Sequence, residues 1–250
     1  MEKQNYLGIY ISKRSATVIC LGSQDRGREA VKCFSVSVED QQAQSPQQLA
    51  DLIAQGCAER QLNFSDVAVA LDCSMFMQHN VHSEFTDYKQ IASTVRFDTE
   101  EALATDVTDI AIAFDMTSTD QTGSDLTVFT AQRKILSDIL LALQANNLDP
   151  VTIEPDAYCL SRFINRRLSS QESEKTGTFY GMLSRRSGYF ITFTDSQKAP
   201  LFRTFLIGAS QNRVQLLARQ VPVTTALILS LIHISEPTRP LYISYAVFCL

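Results

Sequence analysis

The sequence lacks a long run of lysine or arginine, a C-x-x-C pair and an apolar stretch of membrane length. Because the formal net charge is -5, a charged groove for nucleic acid is not predicted. A transmembrane helix needs about 20 predominantly apolar residues. The most apolar stretch, VPVTTALILSLIHI, is shorter and is followed by SEPTRP. The opening residues MEKQNYLGIYIS lack the apolar core of a signal peptide, so direct membrane insertion is not expected.

The six cysteines have no spacing typical of a metal site or a redox pair. Most of them lie in apolar runs, where buried and reduced thiols are expected, so the cysteines favour a cytoplasmic location. His79 and His82 lie on a predicted strand, and side chains three residues apart on a strand point to opposite faces. A shared metal site is therefore not predicted.

Residues 229–250, LSLIHISEPTRPLYISYAVFCL, have an unusual composition for the end of a globular chain. Codons for LSLIHISEPTR and ISYAVFCL reproduce, in order, sequence that resembles the two ends of a short-read sequencing adapter. The three residues between them, Pro240 to Tyr242, stand where a variable index would be. We therefore expect residues 229–250 to be a non-native, adapter-derived tail, and the natural chain to be cut off near Ile228.

The remaining residues predict an α/β fold. LGIYISKRSATVICL reads as a hairpin, AVKCFSVSV as a third strand, and VAVALD as a buried strand. Ser45 and Pro46 have the residue types of a helix N-cap and first helical position. Residues 75–153 read as an inserted α+β module, and three further strands and a helix near the end repeat the opening pattern. The predicted domains are a first subdomain (1–74 plus 154–170), the inserted module (75–153), an incomplete second lobe (171–228) and the tail (229–250).

This layout resembles the actin-like superfamily, with its ribonuclease H-like lobes, and more narrowly the PilM family of pilus and type II secretion assembly proteins. The stretches that carry the resemblance are LGIYISKRSATVICL, VRFDTEEALATDVTDIAIAFDM, ILSDILLALQANNLDPVTIEPDAYCLSRF and FYGMLSRRSGYFITFTDSQKAPLFRTFLIGAS. They extend over nearly all of residues 6–215. The implied fold is a pair of actin-like lobes with an inserted α+β module, of which the second lobe is incomplete.

In active members of the superfamily, two hairpin loops bind ATP, and each loop contains an Asp and a Gly. By this resemblance the first Asp corresponds to Tyr10 and the Gly to Ser12, beside Lys13, while the second loop corresponds to Gly181–Ser184 and contains no Asp. Tyr10 cannot replace a carboxylate as a magnesium ligand, and Ser12 does not share the backbone freedom of glycine. Both loops therefore look like degenerate phosphate loops or plain sheet turns, and no cofactor is expected. Asp156 is interpreted as a helix cap.

The resemblance implies a cytoplasmic scaffold of a type IV pilus or a type II secretion assembly platform. It would bind the cytoplasmic tail of an inner-membrane protein in a groove between the first subdomain and the inserted module, and connect that protein to an assembly ATPase. It would lie at the inner membrane only through these partners, as a pseudo-ATPase. The alternatives are an active actin-like ATPase or sugar-type kinase, which would use ATP and magnesium, and an inactive cell-division-type filament protein.

The interpretation of the tail predicts that residues 229–250 contribute nothing to the folding of the first subdomain or the inserted module. Deletion of these residues should leave the unfolding free energy of that part of the chain unchanged in a denaturant titration. A loss of several kcal/mol would show that the tail is a structural element.

Overall fold

The structure is a computed structural model that describes residues 5–24, 27–38, 45–169, 178–183, 187–193, 201–208 and 211–233. It divides into two compact units, residues 1–206 and 207–250. Among the helices of these described ranges, none has both the length and the apolar character needed to span a membrane.

The first sheet has five strands in the order β3-β2-β1-β4-β8. These strands are β1 (Asn5–Ile11), β2 (Ser15–Gln24), β3 (Gly27–Ser37), β4 (Asp66–Leu71) and β8 (Pro150–Pro155). Strand β2 pairs antiparallel with both β1 and β3. Strand β4 pairs parallel with both β1 and β8. Parallel pairing requires long crossovers, and helix α1 (Pro46–Glu59) supplies the first of them.

Helix α1 begins where its cap residues predict. The Ser45 hydroxyl accepts a hydrogen bond from the Gln47 amide at 3.2 Å, and Pro46 is the first helical residue. The helix buries Leu49 and Ile53 against the sheet, where the alternating side chains of β1 are also buried. The apolar side chains of α1, β1 and β4 therefore form the main core of the first unit.

The inserted module has its own three-stranded sheet in the order β5-β7-β6, covered by helix α2. Its elements are β5 (Met77–Ser83), α2 (Tyr88–Leu103), β6 (Ile110–Thr119) and β7 (Ser124–Gln132). A second, smaller core lies between α2 and the sheet, and its buried members are Val81, Ile91, Val95, Leu126 and Val128. This separate core explains why the module reads as an independent α+β pattern in the sequence.

The predicted module boundary, residues 75–153, is too wide for this sheet. Helix α3 (Arg133–Ala145) buries Ile139 and Leu143 in the main core, and β8 pairs with β4 in the first sheet. β8 joins the first sheet because parallel pairing with β4 satisfies the hydrogen-bonding groups of its backbone. The sheet of the module therefore uses only residues 77–132.

The first unit also contains helix α4 (Asp156–Ser169) and a third sheet in the order β11-β10-β9. Its strands are β9 (Thr178–Leu183), β10 (Ser187–Phe193) and β11 (Leu201–Leu206). Tyr189 and Ile191 of β10 are buried and belong to the main core. In the second unit, the described helix α5 (Arg213–His233) includes Pro222. Asn212, the residue before the helix, accepts a hydrogen bond from the Val214 amide at 3.0 Å through its side chain.

Helix α5 extends into the predicted adapter-derived segment as far as His233. Residues 234–250 lie outside the described residues. The origin of the tail therefore stays a prediction.

Candidate functional site

Two buried aspartates lie at one edge of the first sheet because of its register. In the parallel pairs, Ile11 of β1 is the partner of Leu71 of β4, and Leu71 is the partner of Pro155 of β8. Asp72 and Asp156 each follow the last residue of a strand, so both emerge at the carboxyl edge. This edge is where ligands usually bind in open α/β sheets.

Asp72 accepts three hydrogen bonds. The Ser74 amide donates to Oδ1 at 2.9 Å, the Ser187 hydroxyl donates to Oδ2 at 3.4 Å, and the Tyr10 hydroxyl also donates to Oδ2. The Asp72 side chain is 3% exposed, so it has very little access to water. Protein donors therefore take the place of solvent around this carboxyl group.

Asp156 lies at the first position of α4 and is 4% exposed. Its Oδ1 accepts from the Ala157 amide at 2.6 Å, and its Oδ2 accepts from the Tyr189 hydroxyl. The Cys73 amide is a further donor to this carboxyl group. The helix-cap role predicted for Asp156 therefore accounts for only part of its hydrogen bonding, because the side chain also accepts from Tyr189 on a strand of another sheet.

The two aspartates are connected through β10. The hydroxyl oxygens of Ser187 and Tyr189 are 2.8 Å apart, so the two hydroxyls that reach Asp72 and Asp156 also contact each other. Because each hydroxyl has one proton, all three hydrogen bonds form together only when one aspartate supplies a further proton. Tyr10 completes the group, which we call the aspartate cluster. Its members come from β1, from the ends of β4 and β8, and from β10.

Burial alters the acidity of several members of the aspartate cluster. It raises the pKa of Asp156 to about 7, and the negative charge of Asp72 acts in the same direction. Burial and the neighbouring aspartates also raise the pKa of the Tyr10 and Tyr189 hydroxyls, which therefore remain proton donors. Burial likewise raises the pKa of the adjacent Cys73 thiol to about 12, which makes this thiol a poor nucleophile.

The residues predicted for the two phosphate loops do not lie together in one site. Tyr10 lies in the aspartate cluster, whereas Ser12 and Lys13 lie in the β1–β2 turn, which the Ser12 amide closes by donating to the Ser15 carbonyl at 2.8 Å. Gly181, which the resemblance assigns to the second phosphate loop, lies within β9, opposite Phe190, because the ladder with β10 continues to Leu183. Ser184 lies outside the described residues.

The sequence did not identify Asp72, Ser187 or Tyr189 as site residues. One signal was present, since the strand segments VAVAL and PVTIEP are each followed directly by an aspartate. The contribution of β10 had no such signal, because its packing against the first sheet joins residues that are far apart in the sequence. His79 and His82 bond to different β7 residues, Thr130 and Asp125, each at 3.0 Å.

The aspartate cluster does not fit ATP with magnesium. A phosphate group would meet two buried carboxyl groups there, and Tyr10 stands in the sequence where the resemblance expects the first acid. The hydroxyls of Tyr10 and Tyr189 already bond to the carboxyl oxygens that a metal would need. Within the described residues, no group of three or more His, Cys, Asp or Glu side chains could hold a metal ion.

Comparison with known proteins assigns the family. A family model described as "Type II secretion system (T2SS), protein L" matches residues 18–171, more than half of the 250-residue chain. The chain belongs to the type II secretion system protein L family. Among curated protein sequences, none matches this type II secretion protein L chain.

Two solved structures resemble this protein L chain. The "PilM-PilN type IV pilus biogenesis complex" is 16% identical with a TM-score of 0.68, over 82% of this chain and 62% of that chain. The cytoplasmic domain of EpsL, an inner membrane component of the type II secretion system of Vibrio cholerae, is 15% identical with a TM-score of 0.53, over 79% of this chain and 71% of that domain. The protein L chain thus spans less than two thirds of the first structure. The predicted resemblance to PilM and the actin-like fold are confirmed.

The aspartate cluster predicts a measurable contribution of its two phenols to stability. Tyr10→Phe and Tyr189→Phe should each lower the unfolding free energy by about 1.5–3 kcal/mol, because each removes a hydrogen bond to a buried carboxyl group. The double variant should deviate from additivity by about 0.5 kcal/mol or more, since both bonds belong to one network. The measurement is a double-mutant cycle by urea unfolding.

The matched control is Tyr88→Phe, because Tyr88 is 60% exposed and lies in the inserted module. Its effect should be within about 0.5 kcal/mol of zero. If the Tyr10 and Tyr189 variants are no less stable than this control, the hydrogen bonds of the cluster do not stabilise the fold.

Proposed function

We propose that this chain is a non-hydrolysing scaffold of the type II secretion assembly platform, located in the cytoplasm at the inner membrane. One observation carries the proposal: the hydroxyls of Tyr10 and Tyr189 bond to the two buried aspartates at the edge where an actin-like enzyme would bind its nucleotide. Family membership supports a role in assembly. The alternative of an active ATPase or kinase would require carboxyl groups that are free to act on a ligand.

We further propose that a short cytoplasmic segment of an inner-membrane protein binds between α4 and the inserted module. The similar PilM–PilN structure is itself a biogenesis complex, which supports the choice of an assembly protein as the partner. In this chain, Phe129 of β7 packs against Tyr158 of α4 with ring centroids 6.1 Å apart. Phe129 is 5% exposed, so Tyr158 supplies most of the accessible apolar floor at this junction.

Polar groups flank this floor. Arg162 of α4 lies 5.0 Å from the centre of the Tyr158 ring and donates to Glu154 at 2.8 Å. Asp115 of β6 is half-buried, and burial raises its pKa, while the charge of Arg162 acts in the opposite direction. We call Asp115, Phe129, Glu154, Tyr158 and Arg162 the module groove. Its combination of aromatic rings and a half-exposed arginine is typical of residues that dominate protein interfaces.

The first test concerns nucleotide. Isothermal titration of the full chain with magnesium-ATP should show no binding up to millimolar concentration, because the aspartate cluster offers phosphate no donor that is not already bonded. Micromolar affinity that is lost in Tyr10→Phe or Ser12→Ala would overturn the proposal and favour the enzyme alternative.

The second test concerns the partner. Arg162→Glu should weaken binding of a peptide from the cytoplasmic segment of a neighbouring-gene inner-membrane protein by about tenfold or more, or about 1.4 kcal/mol. Lys134→Glu makes the same charge change on α3, where the side chain is 84% exposed, and should bind the peptide like the original chain. Equal affinity of both variants, measured by fluorescence anisotropy, would place the partner elsewhere.

A further inference from the structure

The aspartate cluster is also the place where β10 is hydrogen-bonded to the first sheet. Ser187 and Tyr189 are both on β10, and they donate to Asp72 after β4 and to Asp156 at the start of α4. The Ser187 side chain is fully buried and Tyr189 is 4% exposed, so these bonds are shielded from water. A change in either aspartate therefore acts directly on the attachment of β10.

Among the residues that the structure describes, the groups that face Asp156 carry no positive charge. From the end of β4 they are Asp72 and the Cys73 thiol, from β1 Tyr10, from β10 Tyr189, and from α4 itself Cys159. Neither aspartate forms an ion pair with any described residue. All direct donors to the two carboxyl groups are neutral hydroxyls and backbone amides.

Two buried carboxyl groups without a cation are costly when both are ionised. Their mutual repulsion favours the state in which the pair holds one proton. Burial raises the pKa of Asp156 to about 7, so this proton is exchanged close to neutral pH. The hydrogen bonds from Tyr189 and from the Ala157 amide oppose this effect without cancelling it.

We propose that the aspartate cluster is a proton-operated clasp that holds β10 against β1, β4 and α4. With one proton on the pair of aspartates, β10 is held firmly. With both aspartates ionised, their repulsion is relieved when β10 unfolds locally, out of its ladders with β9 and β11, and water reaches the carboxyl groups. The clasp is independent of the proposed scaffold function, because it depends only on the contacts within residues 1–206.

The direction of the pH effect follows from the two states. An aspartate in the detached, hydrated state has an ordinary pKa of about 3.9, whereas the attached state binds the proton more tightly. A rise in pH therefore favours detachment; the effect develops between about pH 4 and pH 7 and levels off at higher pH. Between pH 6 and pH 8, the equilibrium constant for detachment should rise by about tenfold.

Hydrogen exchange of the full chain, measured residue by residue, tests the clasp. Protection factors, corrected for the pH dependence of intrinsic exchange, should fall about tenfold for the β10 amides between pH 6 and pH 8. The amides of β5–β7 should change by less than about twofold, since the module has its own core. Asp156→Asn, which stays neutral at both pH values, should abolish the change at β10.

Asp138→Asn is the matched control, because this aspartate is half-exposed on α3 and pairs with Lys134. It should retain the tenfold change. Tyr189→Phe removes the hydroxyl that reaches Asp156, so it should lower β10 protection at pH 6 toward the pH 8 value. This variant keeps the test decisive if Asp156→Asn does not fold.

Four results would overturn the clasp. The first is β10 protection that does not change between pH 6 and pH 8. The second is an unchanged pH dependence in Asp156→Asn. The third is Tyr189→Phe with the original protection at both pH values. The fourth is an equal fall in protection at β5–β7, which would mean that the whole chain loses stability rather than β10 alone.

Discussion

The parallel register of β4 and β8 is the constraint on which the site depends. It aligns Leu71 with Pro155, so the residues that follow, Asp72 and Asp156, leave the sheet at the same edge. The two aspartates are far apart in sequence, and only the sheet brings them together. Because they are buried, their charge must be neutralised by a cation, a ligand or a proton. Tyr10, Ser187 and Tyr189 supply hydrogen bonds but no charge.

This arrangement connects the fold to the proposed function. In an enzyme built on this edge, the acids must stay accessible so that their interactions can change during the reaction. Here both aspartates are at most 4% exposed, and phenol groups bond to them directly. Interactions that are already complete in the resting protein stabilise structure rather than a transition state. The same contacts therefore favour a structural role for this site, in which they control how β10 is held.

Local patterns predicted the individual elements better than their assembly. Ser45 and Pro46 identified the start of α1, because capping depends on a few adjacent residues. The strand VAVALD and the opening hairpin were also predicted from local alternation and turn residues. The position of β8 was not predicted, because its pairing with β4 joins two segments that lie on either side of the inserted module in the sequence. The predicted range of the module, residues 75–153, therefore included β8, which belongs to the first sheet.

The site was only partly predictable for the same reason. Tyr10 was identified because a family pattern calls for an acid at its position, and a substitution is visible in one sequence. Gly181 was assigned to the second phosphate loop by the resemblance alone, and the β9–β10 ladder includes it in a strand. Ser187 and Tyr189 look like ordinary strand residues, and their role arises only when β10 packs against the first sheet. A polar strand residue acquires a function here because its neighbour in space, and not its neighbour in sequence, is a buried acid.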